Sequence, residues 1–206
     1  MYSLGSDKKA QAVSLDIVIG TTIFLAVLAI AVTIWENQNS FAENQLKDYE
    51  MAATSARTLN FIVKSPGEKI NGGTDWQFAP SIDNVLFIGL AKRDRAIDSN
   101  KLAKFVEYGK IWPDCEANCF GDYEKTKAKL LLLGDMNYYF QIYYFSPNNA
   151  SEKKLIKEKI RGSETEMETG VTPSAYAKKV IAQKRIVYYE GAGYSGTATI
   201  ELWAYN

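Results

Sequence analysis

Histidine is absent from this chain of 206 residues, and its absence excludes several kinds of chemistry. Without histidine there is no Ser-His-Asp or Cys-His nucleophilic site, and the commonest protein ligand for zinc, copper and non-haem iron is missing. Glycine-rich phosphate-binding motifs are absent too, and paired acids such as Glu164 and Glu166 belong to no apolar pocket that the sequence predicts. We therefore expect no catalytic residue, no metal site, no cofactor and no enzymatic activity.

Net charge is also missing, because 24 basic and 24 acidic residues cancel. A chain without an overall field has no long-range attraction to nucleic acid, so no nucleic-acid partner is expected. Cysteine is scarce. The two cysteines, Cys115 and Cys119, are too few for a disulfide scaffold and lack the partners that a four-ligand zinc site needs.

Charged residues do not occur from Ile17 to Trp35, which form one unbroken, mainly apolar run. A helix of this length rises roughly 28 Å, close to the thickness of the hydrocarbon core of a bilayer. Lys8 and Lys9 precede the run, and Glu36 is the first charge after it. The positive-inside rule therefore predicts a cytoplasmic N-terminus, with the chain beyond Trp35 outside the cell.

Proline and glycine are absent between Gly20 and Pro66, so the apolar helix is expected to continue beyond the membrane. Apolar residues recur at spacings near three and four along this continuation, from Phe41 to Val63. Pro66 disfavours helical backbone at the residue before it, which predicts a helix end at KSPG. A secretory signal peptide would instead have a shorter apolar stretch that ends in small residues at a cleavage site.

A basic leader (DKKAQ), the motif AVSLD and an unbroken apolar helix follow one another at the N-terminus. Together they resemble the class III signal peptide of archaeal type IV pilins and archaellum-type subunits. In that family a membrane-embedded prepilin peptidase cuts before the apolar helix, which stays on the mature subunit. The resemblance implies a structural subunit of a surface filament, which self-associates through this helix and has the membrane and the prepilin peptidase as partners.

The resemblance places processing at Ala10, Gln11 and Ala12. A cut between Ala10 and Gln11 is favoured, because a small residue commonly precedes the cut in this family, and it makes Asp16 the sixth mature residue. A cut one residue later makes Asp16 the fifth, where the family has its acid. In either case Asp16 is expected to pair with the α-amino group of a neighbouring subunit. The alternative is a plain single-pass anchor whose Asp16 marks the cytosolic edge of the membrane.

The chain after Pro66 predicts a compact α+β head. One helix is expected over NKLAKFVEYG, capped by Asp98 or Ser99, and a second from Asp122 to Gly134. The aromatic run NYYFQIYYF is typical of a strand, and VIAQKRIVYYE and TATIELWAYN are typical of a hairpin. These strands predict a small antiparallel sheet packed against the upper part of the long helix.

The expected fold class is therefore α+β: a long N-terminal helix, transmembrane in its first half, packed against a small antiparallel sheet with short helices. In the loop before these elements, Trp76 and Phe78 are expected to attach the backbone to the core. The chain divides into four predicted parts: a cytoplasmic leader at 1–11, a transmembrane and filament-core helix at 12–35, an extracellular continuation at 36–65, and an extracellular head at 66–206.

The predicted extracellular location affects the interpretation of two short motifs. In an oxidising compartment Cys115 and Cys119 are expected to form a small-loop disulfide, with two free thiols or half of a metal site as the alternatives. Asn149 begins the triplet Asn-Ala-Ser, an N-glycosylation acceptor suited to an exposed loop outside the cell.

The segment NNASEKKLIKEKIRGSETEMETG, residues 148–170, is expected to be a solvated excursion, because its basic block and the glutamates after it balance locally. A contact surface for subunits or surface polymers is the alternative. Adjacent tyrosines in the strands place one ring on each sheet face, which predicts that half are buried and half exposed. Exposed rings leave a second function open, a permanently membrane-anchored extracellular binding module that uses the aromatic-rich sheet.

Overall fold

The computed structural model describes residues 7–109, 119–130, 136–160, 162–191 and 194–206. They fall into two compact units, an N-terminal unit that ends at Tyr49 and a C-terminal unit from Glu50 to Asn206. Helix α1 runs from Asp7 to Lys64 and contributes residues to both units. A long N-terminal helix together with a sheet-containing unit agrees with the expected α+β class.

Among the described residues, the rest of the C-terminal unit consists of short and long strands, two helices and two single turns of 3-10 helix, the turns being Trp76–Phe78 and Ile82–Asn84. The helices are α2 (Ser99–Gly109) and α3 (Cys119–Lys129). The strands are β1 (Glu68–Lys69), β2 (Val85–Phe87), β3 (Ala91–Arg93), β4 (Ala96–Asp98), β5 (Asn137–Ser146), β6 (Asn149–Leu155), β7 (Lys157–Ile160), β8 (Ser163–Glu166), β9 (Glu168–Gly170), β10 (Val180–Glu190) and β11 (Ser195–Tyr205).

The main sheet has seven strands in the order β3-β4-β10-β11-β5-β6, with β9 paired to β5 beside β6. Its centre is the predicted hairpin of β10 and β11 next to the predicted aromatic strand β5. The expected small antiparallel sheet is confirmed in part: most of its strand pairs are antiparallel, but β4 pairs with β10 in parallel and strands are added at both sides. The added strands are short or polar, so they carry little of the apolar alternation that reveals a strand.

The C-terminus of α1 and the residues just after it pack closely against the following loop. The helix ends at Lys64, one residue before the predicted end, and Gly67 then adopts φ +74°. A Cβ atom on Gly67 would lie 2.4 Å from Nε1 of Trp76, so only glycine fits there. The N–H of Leu90 donates to the carbonyl of Ile62 at 2.8 Å, which satisfies one of the last helical carbonyls.

Only one of the two aromatic residues expected to hold the preceding loop is buried. Trp76 is 0% exposed, and its Nε1 donates to the carbonyl of Gly89 at 2.8 Å. Phe78 is 74% exposed, so its expected burial was wrong. Both residues lie in one 3-10 turn, and side chains two positions apart in such a turn point in very different directions.

The core of the C-terminal unit lies between one face of the main sheet and the helices α1 and α2. Rings of Phe105 on α2 and Phe140 on β5 meet edge to face, with their centroids 5.0 Å apart. The buried apolar side chains of these elements include Leu59, Ile62, Val63, Leu102, Phe105, Val106, Phe140, Ile142, Ile200 and Leu202. The last part of α1, from Glu50 onward, is thus a core helix of this unit.

The ends of the two short helices test the capping predictions. Asp98 caps α2, because its Oδ1 accepts from the N–H groups of Asn100 at 2.9 Å and Lys101 at 3.3 Å. The expected limits of the second helix, Asp122 and Gly134, were wrong, since α3 begins at Cys119 and ends at Lys129. The N–H of Ile88 binds the carbonyl of Lys129 at 3.2 Å, and Gly134 lies outside the described residues.

The segment 148–170 is largely sheet rather than an excursion from the unit, although most of its charged side chains are exposed, as expected of a solvated segment. Strands β6 and β9 pair with successive parts of β5. Backbone bonds link Ile156, Met167 and Ile142 in a ring, at 2.8 to 3.1 Å, and all three side chains are buried. These apolar positions attach the segment to the core, whereas the β7–β8 hairpin pairs only within itself among the described strands.

Candidate membrane and assembly surface

Residues 17–35 of α1 present apolar side chains around the whole circumference of the helix. Consecutive positions are about 100° apart, so apolar runs of three residues already cover every face. An 18-residue window has a mean hydropathy of 2.7 and none of it is buried, so the helix is long and apolar enough to cross a membrane. The large apolar side chains, each 48–66% exposed, are Ile17, Val18, Ile19, Ile23, Phe24, Leu25, Val27, Leu28, Ile30, Val32, Ile34 and Trp35.

The hydroxyl groups within this surface are satisfied by the helix itself. Thr21 donates to the carbonyl of Ile17 at 2.8 Å, and Thr22 donates to that of Val18 at 2.8 Å. Thr33 does the same with the carbonyl four residues before it, at 2.9 Å. Each polar hydrogen therefore has a partner that needs no water, which is the condition for placing threonine in hydrocarbon.

Polar or charged residues adjoin both ends of this surface. Asp16 is exposed on α1, immediately before the first apolar residue, and Trp35 closes the run before Glu36. The backbone is helical at the basic residues Lys8 and Lys9 and at the processing positions Ala10, Gln11 and Ala12, and the side chains of these five residues lie outside the described part of the structure.

The apolar pattern beyond Trp35 divides into two parts. Phe41, Leu46 and Tyr49 are 65%, 59% and 73% exposed in the N-terminal unit. Leu59 and Ile62, which belong to the C-terminal unit, are fully buried in its core. Only the second part of the long amphipathic pattern is therefore used for packing among the described residues.

The two motifs that were predicted to lie outside the cell are described to different extents. Asn149 is exposed at the start of β6, just after the turn that leaves β5, and its Oδ1 accepts from the N–H of Ser151 at 3.1 Å. The acceptor triplet is thus on the surface, and its glycosylation stays a prediction. Cys115 lies outside the described residues, as does the side chain of Cys119, so the disulfide also stays a prediction.

The sheet face that points away from the core carries a buried carboxylate. Glu201 on β11 is 4% exposed and accepts a hydrogen bond from Nε2 of Gln141 at 2.9 Å. Its oxygens lie 3.2 Å from Nζ of Lys184 and 3.4 Å from Nζ of Lys153. Burial acts to raise the pKa of Glu201, but the neighbouring indole N–H of Trp203 and the two lysines outweigh it and lower the pKa below its usual range.

Aromatic rings on the same face bury one another, so the expectation that half of the paired tyrosines are exposed was wrong. Tyr139 is 9% exposed and meets Trp203 edge to face, with centroids 5.6 Å apart. Tyr143 is 2% exposed, with Nζ of Lys153 lying 4.0 Å from its ring centroid. Alternation does place these rings opposite the core, but neighbours on the adjacent strands cover them. Of the paired tyrosines, Tyr188 alone is classed as exposed, at 45%; Tyr144 is half-buried, and the others are buried.

Two functional features were missed at the level of sequence. The threonine back-bonds are readable in principle, because threonine in a helix interior often donates to the carbonyl four residues earlier. The Glu201 cluster joins residues from β5, β6, β10 and β11, and no local pattern reveals such a contact. Among the described residues, no group of three or more acidic or cysteine side chains is placed to hold a metal ion.

Comparison with known proteins adds no relative to these observations. No protein-family model, no curated protein and no solved structure matches the chain. A functional assignment therefore depends on the residues of the chain itself.

Proposed function

We propose that the protein is a structural subunit of an archaeal type IV pilus-like surface filament, processed by a prepilin peptidase and assembled through α1. The exposed apolar surface of residues 17–35 is the observation that carries this proposal. Each large side chain on it gains about 1.5–3 kcal/mol when it is removed from water. Such a surface is stable in lipid or against other helices, and a subunit that leaves the membrane for a filament uses both environments in turn.

The position of Asp16 supports an intermolecular charge pair. With a cut before Gln11, the new α-amino group lies five residues before Asp16, about 140° around the helix, so the two groups of one chain face different ways. With a cut before Ala12, the separation is four residues and about 40°, so both groups share a face. The first register therefore leaves each group for a neighbouring subunit, where a desolvated charge needs a partner.

The topology that goes with this function has a cytoplasmic leader and an extracellular C-terminal unit. The lysines before the apolar run and the glutamate after it support this orientation. The exposed acceptor triplet at Asn149 is consistent with it. The protein acts by assembly in this proposal and carries out no catalysis.

Replacement of Asp16 tests the proposal. Asp16→Ala should insert into the membrane as the wild type does, because the apolar run is unchanged, but should fail to enter filaments. Asp16→Glu is the matched control and should assemble, since it keeps the charge. Membrane fractionation and electron microscopy of sheared surface filaments give the two readouts. Filaments of Asp16→Ala in wild-type amounts would contradict the role of Asp16, and a wild type that never leaves the membrane would favour a permanent anchor.

A further inference from the structure

Strand β10 has an open edge along most of its length. All of β10 pairs with β11, but β4 covers only Tyr188–Glu190 on the other side. Among the described residues, no backbone hydrogen bond reaches residues 180–187 from that other side. Every side chain from Val180 to Ile186 is exposed or half-buried, whereas Val187 and Tyr189 are buried where β4 adjoins. The strand thus becomes an edge strand where β4 ends.

The groups that face this edge can be identified from one backbone contact. The N–H of Tyr188 donates to the carbonyl of Arg95, on the β4 side, at 2.8 Å. Backbone groups alternate between the two sides of a strand, so the even-numbered residues of β10 all point to that side. One of these groups already has a partner, because Nη1 of Arg185 donates to the carbonyl of Lys184 at 2.7 Å. The N–H and C=O groups of Val180, Ala182, Lys184 and Ile186 therefore face the open edge.

Charged side chains are the usual protection of an edge strand, and here they are engaged elsewhere. Nζ of Lys184 is paired with Glu201 inside its own sheet, 3.2 Å away. Nε of Arg185 donates to Oδ1 of Asn60 on α1 at 2.7 Å. The outward-facing apolar side chains on the same edge, Val180 and Ile186, are 45% and 68% exposed. The open edge thus has an exposed apolar side chain near each end. The cationic groups of Lys184 and Arg185 are bound within their own chain.

We propose that this edge pairs with β10 of a second copy of the chain, antiparallel and with Gln183 on the two-fold axis. In this register Val180 lies opposite Ile186 of the second copy, and Ala182 lies opposite Lys184. All the edge-facing N–H and C=O groups of both copies are then bonded, and the two exposed apolar side chains cover each other. The Lys184 carbonyl can keep its bond to Arg185, because a carbonyl oxygen has two lone pairs.

Neighbouring registers are worse by the same criteria. Placing the axis at Lys184 puts the two lysines directly opposite each other, and like charges in that position are unfavourable. It also pairs Val180 with Tyr188, whose N–H is already bound. Placing the axis at Ala182 puts Ile186 opposite Lys178, beyond the start of β10. The contact is isologous, and it depends on neither the processing nor the filament proposed above.

Cysteine cross-linking of the full-length chain in detergent micelles tests the register. Two Gln183→Cys residues would form a non-hydrogen-bonded pair with their Cα atoms about 4.5 Å apart, which suits a disulfide. Ile181→Cys is the matched control, since it lies on the same face, is also half-buried, and would be roughly 13 Å from its counterpart. After mild oxidation, mass spectrometry should find the 183–183 link at least tenfold more often than the 181–181 link. Equal yields, or no link at 183, would overturn the proposal.

A second pair of variants tests the contact without cysteine. Ala182→Pro removes an N–H that faces the open edge and breaks no bond to β11, so the circular dichroism spectrum should stay unchanged while the dimer is lost. Ile186→Lys places a charge at an exposed position, opposite Val180 of the second copy. This variant tests the contact if Ala182→Pro does not fold. Light scattering should show a dimer for the wild type and a monomer for Ile186→Lys. A monomeric wild type or a dimeric Ile186→Lys would overturn the proposal.

Discussion

Nζ of Lys101 on α2 donates a hydrogen bond of 2.7 Å to the carbonyl oxygen of Pro66, two residues beyond the end of α1. Lys101 is only 5% exposed, and its second acceptor is the carbonyl of Ala91 at 3.4 Å. The same Pro66 carbonyl also accepts from Nε1 of Trp76 at 3.1 Å. Burial lowers the pKa of Lys101, against the opposite influence of Asp98 and Asp75. A buried ammonium and an indole thus fix the end of the long helix to the core of the C-terminal unit.

Lys101→Ala should lower the free energy of unfolding by about 2–3 kcal/mol, because hydrogen bonds from a charged donor are lost and the carbonyls they served stay buried. Lys92→Ala is the control, since Lys92 is exposed on β3, and it should change stability by less than about 0.5 kcal/mol. Urea unfolding of the full-length chain in micelles, followed by tryptophan fluorescence, measures both. Equal effects of the two substitutions would show that the buried contact contributes nothing.

Trp76→Phe should destabilise the C-terminal unit by about 1–3 kcal/mol. Phenylalanine keeps most of the apolar volume but cannot donate to the carbonyls of Gly89 and Pro66, which stay buried. Phe78→Leu should be almost neutral, because Phe78 is 74% exposed. Thermal unfolding monitored by circular dichroism compares the two, and a larger loss for Phe78→Leu would contradict the observed burial.

Glu201→Gln should remove part of the acid sensitivity of the protein. The pKa of Glu201 is lower in the folded chain than its ordinary value of 4.5, so the unfolded chain takes up this proton at a higher pH. The contribution of Glu201 to stability is therefore present above about pH 4.5 and is lost as the pH falls through the folded pKa. At pH 7 the variant should be about 1–3 kcal/mol less stable than the wild type, and the difference should shrink toward pH 3.

Glu152→Gln is the control for this pH profile. Glu152 forms an exposed pair with Lys154 at 3.4 Å, and exposed pairs contribute about 0–1 kcal/mol. Unfolding free energies of the three proteins at pH 7, 5 and 3 give the comparison. A constant difference between Glu201→Gln and the wild type across this range would contradict the lowered pKa of Glu201.

The sequence predicted those parts of the fold whose signals are local. Absence of proline and glycine predicted α1 to within one residue of Lys64, and Asp98 predicted the cap of α2. Strands β5, β10 and β11 were predicted because aromatic and β-branched residues dominate them. The end of α3 at Lys129 was missed because no proline or glycine lies between Asp122 and Gly134, so no local signal marks it.

The surface features were less accessible to sequence reasoning. The apolar run predicted the candidate membrane surface directly, since length and hydropathy suffice. The open edge of β10 was missed because an edge depends on which strands do not pair, and VIAQKRIV alone does not carry that information. The buried tyrosines were missed because Tyr139 and Tyr143 are covered by Trp203 and Lys153 from neighbouring strands.

Acidic residues near the middle of the apolar run should prevent stable membrane insertion. Ala26→Asp with Ala29→Asp places two carboxylates near the midplane, and each costs about 2.5–3.5 kcal/mol on insertion. Gln45→Asp is the control, because Gln45 is exposed on α1 beyond the apolar run. The fraction retained in the membrane pellet after a carbonate wash should fall for the double variant alone. Equal retention of all three proteins would contradict insertion through residues 17–35.

The N-terminus of the mature protein tests the central proposal most directly. Protein isolated from its native cell surface, and analysed by intact mass and N-terminal sequencing, should begin at Gln11 or Ala12, with the apolar helix retained. A start at Gln11 would leave the α-amino group facing away from Asp16 of the same chain, and a start at Ala12 would place both on one face. A mature chain that still begins at Met1, or one that lacks residues 17–35, would contradict a pilin-like subunit.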